Sequence, residues 1–397
     1  MEGTRGMRAV TWQGKRSISV EEVPDPVIQE ATDAIVKITS SAICGSDLHL
    51  YEVLGPYMKA GDILGHEPMG VVQEVGSAVT NLSPGDRVVI PFNISCGHCW
   101  MCKQGLQSQC ETTQVHGHNT GASLFGFSDL YGSVPGGQAE YLRVPHADYG
   151  PIKVGHELPD ERYLYLSDIL PTAWQGVKYA DVPEGGTLAV FGLGPVGQFA
   201  SRIGRHLGQR VIAVEPVPER RRMAERHGVE TLDFTKDIAG QLREMTGGRG
   251  PNAVLDAVGM EAHHSPVGAF AQHAVGLLPD ALARKAMETA GVDRMTVLHA
   301  ALDSVRRGGT VSISGLYGGA ASPMPLLTMF DKQIQLRMGQ CNVRRWTDEL
   351  LPIVENPGDP LGVMDLKTHE VSLDGAAAAY EIFQKKQDGC IKVILKP

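Results

Sequence analysis

Apolar and polar positions follow two different patterns along the chain, and the change falls near its middle. Arg8–Trp12, Ser17–Val23 and Ala34–Ser40 carry β-branched residues in partial alternation, with Gly, Pro and Asp between them, which predicts short strands. Met69–Val75 and Arg87–Pro91 continue that pattern across the turn Ser83-Pro84-Gly85-Asp86. The first half should therefore be mostly antiparallel β, folded as a partly closed barrel. From Thr187 onward the apolar runs become continuous and are separated by helical stretches. Thr187–Phe191, Val211–Glu215, Asn252–Val258 and Thr310–Ser314 predict parallel strands, Glu230–Phe234 a shorter one and Ile334–Met338 an edge strand. Six such strands with helices between them predict an α/β doubly wound parallel sheet. After Met338 the chain is expected to return to the first domain, with a helix over Asp374–Lys386 and a final strand over Ile391–Leu395. The expected domains are thus 1–170 together with 341–397, and 171–340. One interval breaks the economy of the second: Met260–Met295 is far longer than the roughly 2–6 residues of an ordinary βα connection. Its His263, His264 and His273 are not at ligand spacing with any cysteine and are expected at the surface.

The 397 residues suit two domains of ordinary composition. A net charge of −9 and a pI near 5.9 argue against nucleic acid or an anionic membrane as the main partner. No apolar run approaches the roughly 18 residues of a membrane span, so a cytoplasmic location is expected.

Of seven cysteines, four lie between Cys96 and Cys110, and this clustering reads as metal binding and not as a disulfide framework. Cys96, Cys99, Cys102 and Cys110 form a C-x₂-C-x₂-C-x₇-C pattern. Two-residue gaps let successive thiolates converge on one ion, and four sulfurs leave no open position, so the site is read as structural zinc. The bacterial ferredoxin spacing differs in its last gap and ends in proline. His98 is superfluous beside four thiolates and is expected to be exposed. The lone Cys341 and Cys390 are read as inert thiols.

A second constellation starts at Cys44-Gly45-Ser46-Asp47-Leu48-His49, in what reads as a loop after the third strand, and continues at Gly65-His66-Glu67. Cys44 and His66 offer a thiolate and an imidazole of the kind zinc prefers. Ser46 and His49 are suited to carry a proton from the metal site to water. Further on, Gly192-Leu193-Gly194-Pro195-Val196-Gly197 joins a strand to a helix, and Glu215 ends the next strand. This is the context in which a G-x-G-x-x-G turn binds a dinucleotide. Gly192 serves the tight turn, Gly194 the pyrophosphate and Gly197 the helix packing, and Val196 lies between the last two at the helix start, where amides meet phosphate. Glu215 would accept from the adenosine ribose hydroxyls and repel a 2′-phosphate, favouring NAD. Arg220, Arg221 and Arg222 are the counter-signal, since an arginine can cradle that phosphate.

The Cys-Gly-Ser-Asp-x-His stretch, the Gly-His-Glu motif and the four-cysteine lobe together resemble the zinc-dependent medium-chain alcohol dehydrogenase family over nearly the whole chain. The resemblance implies a GroES-like catalytic domain beside a Rossmann domain, two zinc ions per chain and NAD. It places a third ligand of the catalytic zinc within Leu166–Trp174, where this sequence offers Asp168. With Pro91-Phe92-Asn93 and the run Gly136–Pro145, that Asp is similar to the glutathione-independent formaldehyde dehydrogenase branch. Glu67 is then a neighbour or transient ligand of the metal, Phe92 and Trp174 are pocket candidates, Arg220 is a ribose contact, and Lys392 is a cation facing the pyrophosphate. In that branch an inserted loop covers the adenine, which is the role expected for part of Met260–Met295. The implied reaction is hydride transfer from an alcohol or hydrated, formaldehyde-like aldehyde to NAD. General alcohol, polyol or threonine oxidation is the alternative. The family tends to homodimers and homotetramers.

Overall fold

The alternation of the first residues becomes a hairpin, in which β1 (Gly6–Gly14) pairs antiparallel with β2 (Ser17–Pro24). The structure is a computed structural model and describes residues 6–235, 237–259, 295–317 and 324–397. All but the last residue of the expected insertion Met260–Met295, including its three histidines, lies outside the described residues.

β3 (Ala34–Ile43) is the long central strand of the first unit. It runs directly into α1 (Gly45–Glu52), so the stretch after Cys44 is helical and not the loop expected for it. Only eight residues long and without an apolar stripe, this helix left no periodic signal to read. Its start is fixed by Asp47, whose Oδ2 accepts the Cys44 amide at 2.9 Å and so satisfies a donor at the helix N-terminus. There follow β4 (Glu67–Val75), β5 (Arg87–Val89), the short α2 (Trp100–Lys103), β6 (Tyr141–Val144), β7 (Ile152–Lys153) and the one-turn α3 (Asp160–Tyr163). α4 (Ile169–Ala180) then leads to the second unit.

That unit repeats strand and helix: β8 (Thr187–Phe191), α5 (Pro195–His206), β9 (Arg210–Val214), α6 (Pro218–Glu225), β10 (Glu230–Leu232), α7 (Ile238–Met245) and β11 (Ala253–Asp256). After the undescribed residues come α8 (Thr296–Ser304), β12 (Thr310–Ile313), α9 (Leu326–Lys332) and β13 (Gln335–Met338). The strand order β10-β9-β8-β11-β12-β13 is all parallel, and the order reverses beside β8, where such sheets bind ligands. Its core joins Ala189, Phe191, Ile212, Val254, Val311 and Ile313 from the strands to Leu242, Leu298 and Leu302 from the helices. Burial on both faces explains why these strands read as continuous apolar runs.

The chain returns through α10 (Val343–Glu355), β14 (His369–Ser372), α11 (Ala376–Lys385) and β15 (Val393–Lys396). β15 pairs antiparallel with β3 and parallel with β14, closing a seven-stranded sheet that includes β4, β5, β6 and β7. The chain divides into two compact units, Met1–Pro171 with Cys341–Pro397, and Thr172–Gln340. The architecture is a GroES-like β domain and a Rossmann-like doubly wound domain. No described helix is long and apolar enough to cross a membrane.

Candidate metal and dinucleotide sites

Each of the two metal-ligand clusters lies within the first unit. In the lobe, ligand atoms of Cys96, Cys99, Cys102 and Cys110 all lie within 4.8 Å of one another. The Cys99 and Cys102 amides each stand 3.4 Å from the sulfur three residues before, and the Cys96 amide 3.4 Å from Cys110 Sγ. Amides aimed at sulfur stabilise thiolates, and tetrahedral S₄ donors suit zinc. His98 is exposed, as expected, and Cys341 and Cys390 are buried. Ser108 donates from both its amide and its hydroxyl to Asn342 Oδ1, at 3.0 and 2.9 Å, so the returning chain is tied to the lobe.

The second cluster gathers Cys44, His66, Glu67 and Asp168, again with ligand atoms within 4.8 Å of one another and every residue buried. Cys44 is held at the junction of β3 and α1. His66 immediately precedes β4. Asp168 sits in a bend before α4, and that bend is fixed by the Phe92 amide donating to Ser167 O at 3.0 Å. Asp168 Oδ2 stands 3.7 Å from Cys44 Sγ and 3.3 Å from His66 Nε2. Ser46 Oγ lies 3.0 Å from the same Nε2. His49 follows Ser46 by one helical turn on α1, on the same face, and is 6% exposed. Phe92 and Phe127 present ring edges to the imidazole at 6.4 and 6.2 Å. Trp174 is buried on α4 in the second unit, with Lys178 Nζ 5.6 Å from its ring.

Electrostatics show what this donor set lacks. Burial opposes the His66 imidazolium, yet Asp47, with hydrogen bonds to Asp168 and Cys44, raises its pKa well above the ordinary histidine value. Burial pushes the Cys44 thiol up, and Glu67 and Asp168 add to it. Glu67 is raised too, by burial first, although Lys392 pulls it the other way. Burial disfavours the charged thiolate and carboxylate, and the neighbouring anionic groups add to it, so Cys44 and Glu67 are raised, while Asp47 holds the proton of His66. A borderline-soft divalent ion fits a thiolate, an imidazole and a carboxylate at these separations.

One site expectation changes. Lys392, expected to face a pyrophosphate, is fully buried, ion-pairs with Glu67 Oε2 and donates to Ile43 O at 3.0 Å. Burial works against its charge, but Glu67 more than compensates, and its pKa is raised. The ammonium is committed to a carboxylate because a buried charge needs a partner. Glu67, counted among the metal residues, remains in the cluster by distance, but one of its oxygens belongs to Lys392. The sequence reading missed Asp47 as a site residue. Its Oδ1 stands 3.0 Å from His66 Nδ1, and its signal was a carboxylate at the third position of a helix starting at a candidate ligand.

In the second unit, Gly192 follows β8 with φ +88, a left-handed conformation that favours glycine. A Cβ on Gly197 would stand 1.9 Å from Gly192 O, so α5 can approach the turn only with glycine there. In front of Gly194 a Cβ would meet nothing closer than Arg220 Nη1, at 4.0 Å, which leaves room at the N-terminus of α5 for a phosphate. Val196 is the second residue of α5 and half-buried. Glu215 follows β9, and its carboxylate accepts the amides of Leu193 at 2.7 Å and Val217 at 2.9 Å. Arg220 Nη1 is 3.9 Å from that carboxylate. Arg221 turns instead to Glu215 O, Pro216 O and Asp233, and Arg222 to Glu219.

Residues 30–154 match the alcohol dehydrogenase GroES-like domain family, and residues 195–267 match the zinc-binding dehydrogenase family. A zinc-type alcohol dehydrogenase-like protein of Bacillus subtilis is 41% identical, over 98% of this chain and 100% of that one. A glutathione-independent formaldehyde dehydrogenase of Pseudomonas aeruginosa is 32% identical, over 95% of each chain. The alcohol dehydrogenase TADH from Thermus sp. ATN1 superposes with a TM-score of 0.82 at 32% identity, over 98% of this chain and 99% of that one. With both clusters assembled on this fold and relatives matched end to end, the chain belongs to the zinc-dependent medium-chain alcohol dehydrogenase family of oxidoreductases.

Proposed function

We propose that the protein oxidises a small alcohol or hydrated aldehyde, formaldehyde or a near analogue, with NAD as hydride acceptor. The observation that carries this reading is the convergence of Cys44, His66 and Asp168 within 4.8 Å in a buried pocket. When bound, zinc supplies Lewis acidity and the nicotinamide supplies a hydride acceptor. Cys44, His66 and Asp168 hold the metal, and their two anionic groups balance its charge. Lys392 neutralises Glu67, which keeps a third negative charge from weakening the metal as an acid. Ser46 Oγ, at the edge of the cluster, takes the proton of the substrate hydroxyl, and His49 on the same helix face passes it outward. Phe92 and Phe127 crowd the metal side of the pocket and favour a small substrate. Gly192, Gly194, Val196 and Gly197 seat the pyrophosphate. Glu215 accepts from the ribose hydroxyls and disfavours NADP, with Arg220 beside it.

The 32% identical formaldehyde dehydrogenase supports the aldehyde reading, and the TADH superposition supports the alternative of a general alcohol dehydrogenase. The deciding experiment follows reduced-cofactor absorbance over a panel of alcohols and aldehydes, with NAD and NADP and without glutathione. Formaldehyde turnover exceeding that of ethanol and of polyols is expected. Activity confined to longer alcohols supports the alternative, and no reduction of NAD by any member overturns both. We also infer a homodimer or homotetramer. Leu326, Leu327 and Phe330 on α9 and Met338 on the edge strand β13 expose a large apolar area suited to a second copy. A monomer by light scattering at micromolar concentration overturns that inference.

A further inference from the structure

Behind His66 runs a chain of buried side chains that the proposed chemistry does not use. Asp47, Gln138 and Tyr380 are each wholly buried, and they come from α1, from the Gly136-Gly137-Gln138 run and from α11. Their polarity can be worked out link by link. Asp47 Oδ2 already accepts the Cys44 amide, and Oδ1 faces His66 Nδ1 at 3.0 Å. Neither Asp47 Oδ1 nor His66 Nδ1 meets hydrogen-bond geometry with any partner, so this 3.0 Å approach is the polar contact open to both. A carboxylate accepts only, so Nδ1 carries the proton, and Nε2 keeps its lone pair on the side of Cys44 and Asp168.

Gln138 Nε2 lies 3.2 Å from Ala42 O and 3.4 Å from Asp47 Oδ2. Both are acceptors, so the amide orientation is fixed, because the reversed amide would set oxygen against oxygen twice. Gln138 Oε1 must then face Tyr380, whose hydroxyl donates to it at 2.9 Å. Every hydrogen therefore points toward Asp47: Tyr380 donates to Gln138, Gln138 to Asp47, and His66 to Asp47 from the other side. The backbone adds stiffness. Gly137 N donates to Gly65 O at 2.7 Å and Gln138 N to Leu64 O at 3.0 Å, so the run carrying Gln138 is laced to the run carrying His66. A Cβ on Gly65 would meet Gln138 Cγ at 2.3 Å, so the two runs are in direct contact. The Tyr380 ring is seated against Tyr51, with centroids 5.6 Å apart.

We propose that Tyr380, acting through Gln138 and Asp47, is a positioning residue for the His66 imidazole, so that α11 helps set how tightly the cluster holds its metal. This rests on the reading of Cys44, His66 and Asp168 as metal ligands. Groups that orient a ligating histidine commonly change metal affinity about 10- to 100-fold when removed, and Tyr380 stands two links further out than Asp47 does. The bland alternative is that Tyr380 only fills space beside Tyr51.

The test measures zinc release to excess chelator from the purified, zinc-loaded full chain, followed colorimetrically. Cys44→Ser identifies the phase that belongs to the buried cluster. Tyr380→Phe keeps the ring and loses one oxygen. It should speed that phase by roughly three- to tenfold and leave the four-cysteine phase unchanged. Asp47→Asn should have the larger effect, and Tyr380→Phe should add nothing on top of it. In cobalt-substituted protein, Tyr380→Phe should shift the visible bands of the cluster ion, which a space-filling role would not do. Gln138→Met, close in shape, breaks the same chain one link nearer the metal and stands in if Tyr380→Phe does not fold. Wild-type release and spectrum in either variant, or equal acceleration of both phases, overturns the proposal. If Cys44→Ser still releases two zinc ions with unchanged phases, the ligand assignment fails instead.

Discussion

In the first unit, Asp33, Asp47, Arg87, Arg162 and Lys392 are buried among the strands and helices of the sheet itself, each against an oppositely charged or hydrogen-bonding partner. In the second unit the central sheet is filled with Ala189, Val190, Ile212, Val254 and Val311; its buried carboxylates, Glu215 and Asp256, stand at or just past the C-terminal ends of strands, and its buried Arg202 and Arg220 lie on helices outside the sheet. The difference follows from what each binds. A metal site needs charged donors inside the fold, and each must be held by further polar groups. A dinucleotide is held largely by backbone amides and a helix N-terminus, so its fold can stay apolar and depends on where glycine lets the backbone go. The first unit should therefore be sensitive to metal, charge and acid, and the second to side-chain volume at its turn.

The sharpest contrast lies between the two metal clusters. Cys99→Ser removes a ligand from a closed four-sulfur site that contributes folding free energy. Loss of soluble, folded protein, or a drop of many degrees in Tm, is expected. Cys44→Ser should leave Tm close to wild type while turnover falls by about a thousandfold or more and one zinc per chain disappears from metal analysis. A stable, active Cys99→Ser protein would remove the structural role from the lobe.

For the second unit, Gly197→Ala forces a methyl to 1.9 Å from Gly192 O. A destabilisation of about 3 kcal/mol or more and loss of cofactor binding are expected. Gly194→Ala, whose methyl meets only Arg220 Nη1 at 4.0 Å, should fold normally and weaken cofactor binding alone. Equal melting temperatures for the two variants would break the volume argument.

Acid tests the first unit by its charges. Burial raises the Asp160 pKa, but Ser40, Thr39 and Arg87 outweigh it and hold the carboxyl below its ordinary 3.8. The stabilisation is then complete above that ordinary value and is lost as pH falls through the lower folded one. Asp160→Asn should cost about 2 kcal/mol at pH 7, since Arg87 keeps Gly155 O and Leu158 O as acceptors. Denaturant melts of the variant should show a flatter pH dependence below about pH 4. Parallel curves for wild type and variant would dismiss Asp160 as a source of acid sensitivity.

Smaller changes concern selectivity and proton flow. Glu215→Ser should shift the ratio of NADP to NAD efficiency by about tenfold towards NADP, roughly 1.4 kcal/mol. A wild-type enzyme that prefers NADP would contradict the role given to Glu215. His49→Ala should slow alcohol oxidation about fivefold at pH 6 and less at pH 9, with partial rescue by imidazole. An unchanged pH profile removes His49 from the proton route.

Much of this was legible in the sequence because it is local. β8 matches its apolar run end to end, and β9, β10, β11, β12 and β13 lie within about two residues of theirs; for β8, β9, β11 and β12 the reason is that a strand buried on both faces announces itself. Cys96, Cys99, Cys102 and Cys110 converge because two-residue gaps leave little choice. The misses are non-local or aperiodic. α1 is too short and too polar to show periodicity. Lys392 looked like a cation available to a ligand, yet its partner Glu67 is 325 positions away, beyond any pattern in sequence. Gln138 lies in the Gly136–Pro145 run but Tyr380 carries no motif, and only the folded chain shows that Gln138 faces Asp47 and that Tyr380 faces Gln138. The third ligand candidate, Asp168, was found by resemblance, since nothing in its neighbourhood distinguishes it from a helix cap.

β15 pairs with β3 through Val393 opposite Ile43 and Leu395 opposite Ser41, and positions 43 and 393 are 350 residues apart. On the ribosome, at about 10 residues per second, roughly half a minute separates the two partners. The second unit, Thr172–Gln340, is contiguous, so all of its strands have been made before Lys392 is. The first unit is not contiguous. Until Lys392 and β15 emerge, the Ser41–Ile43 edge of β3 is an open hydrogen-bonding template beside Cys44, and Glu67 has no counter-charge. β15 thus completes the sheet on which the chemistry is built, and a nascent chain stalled short of it presents an unpaired, sticky strand edge to the cell.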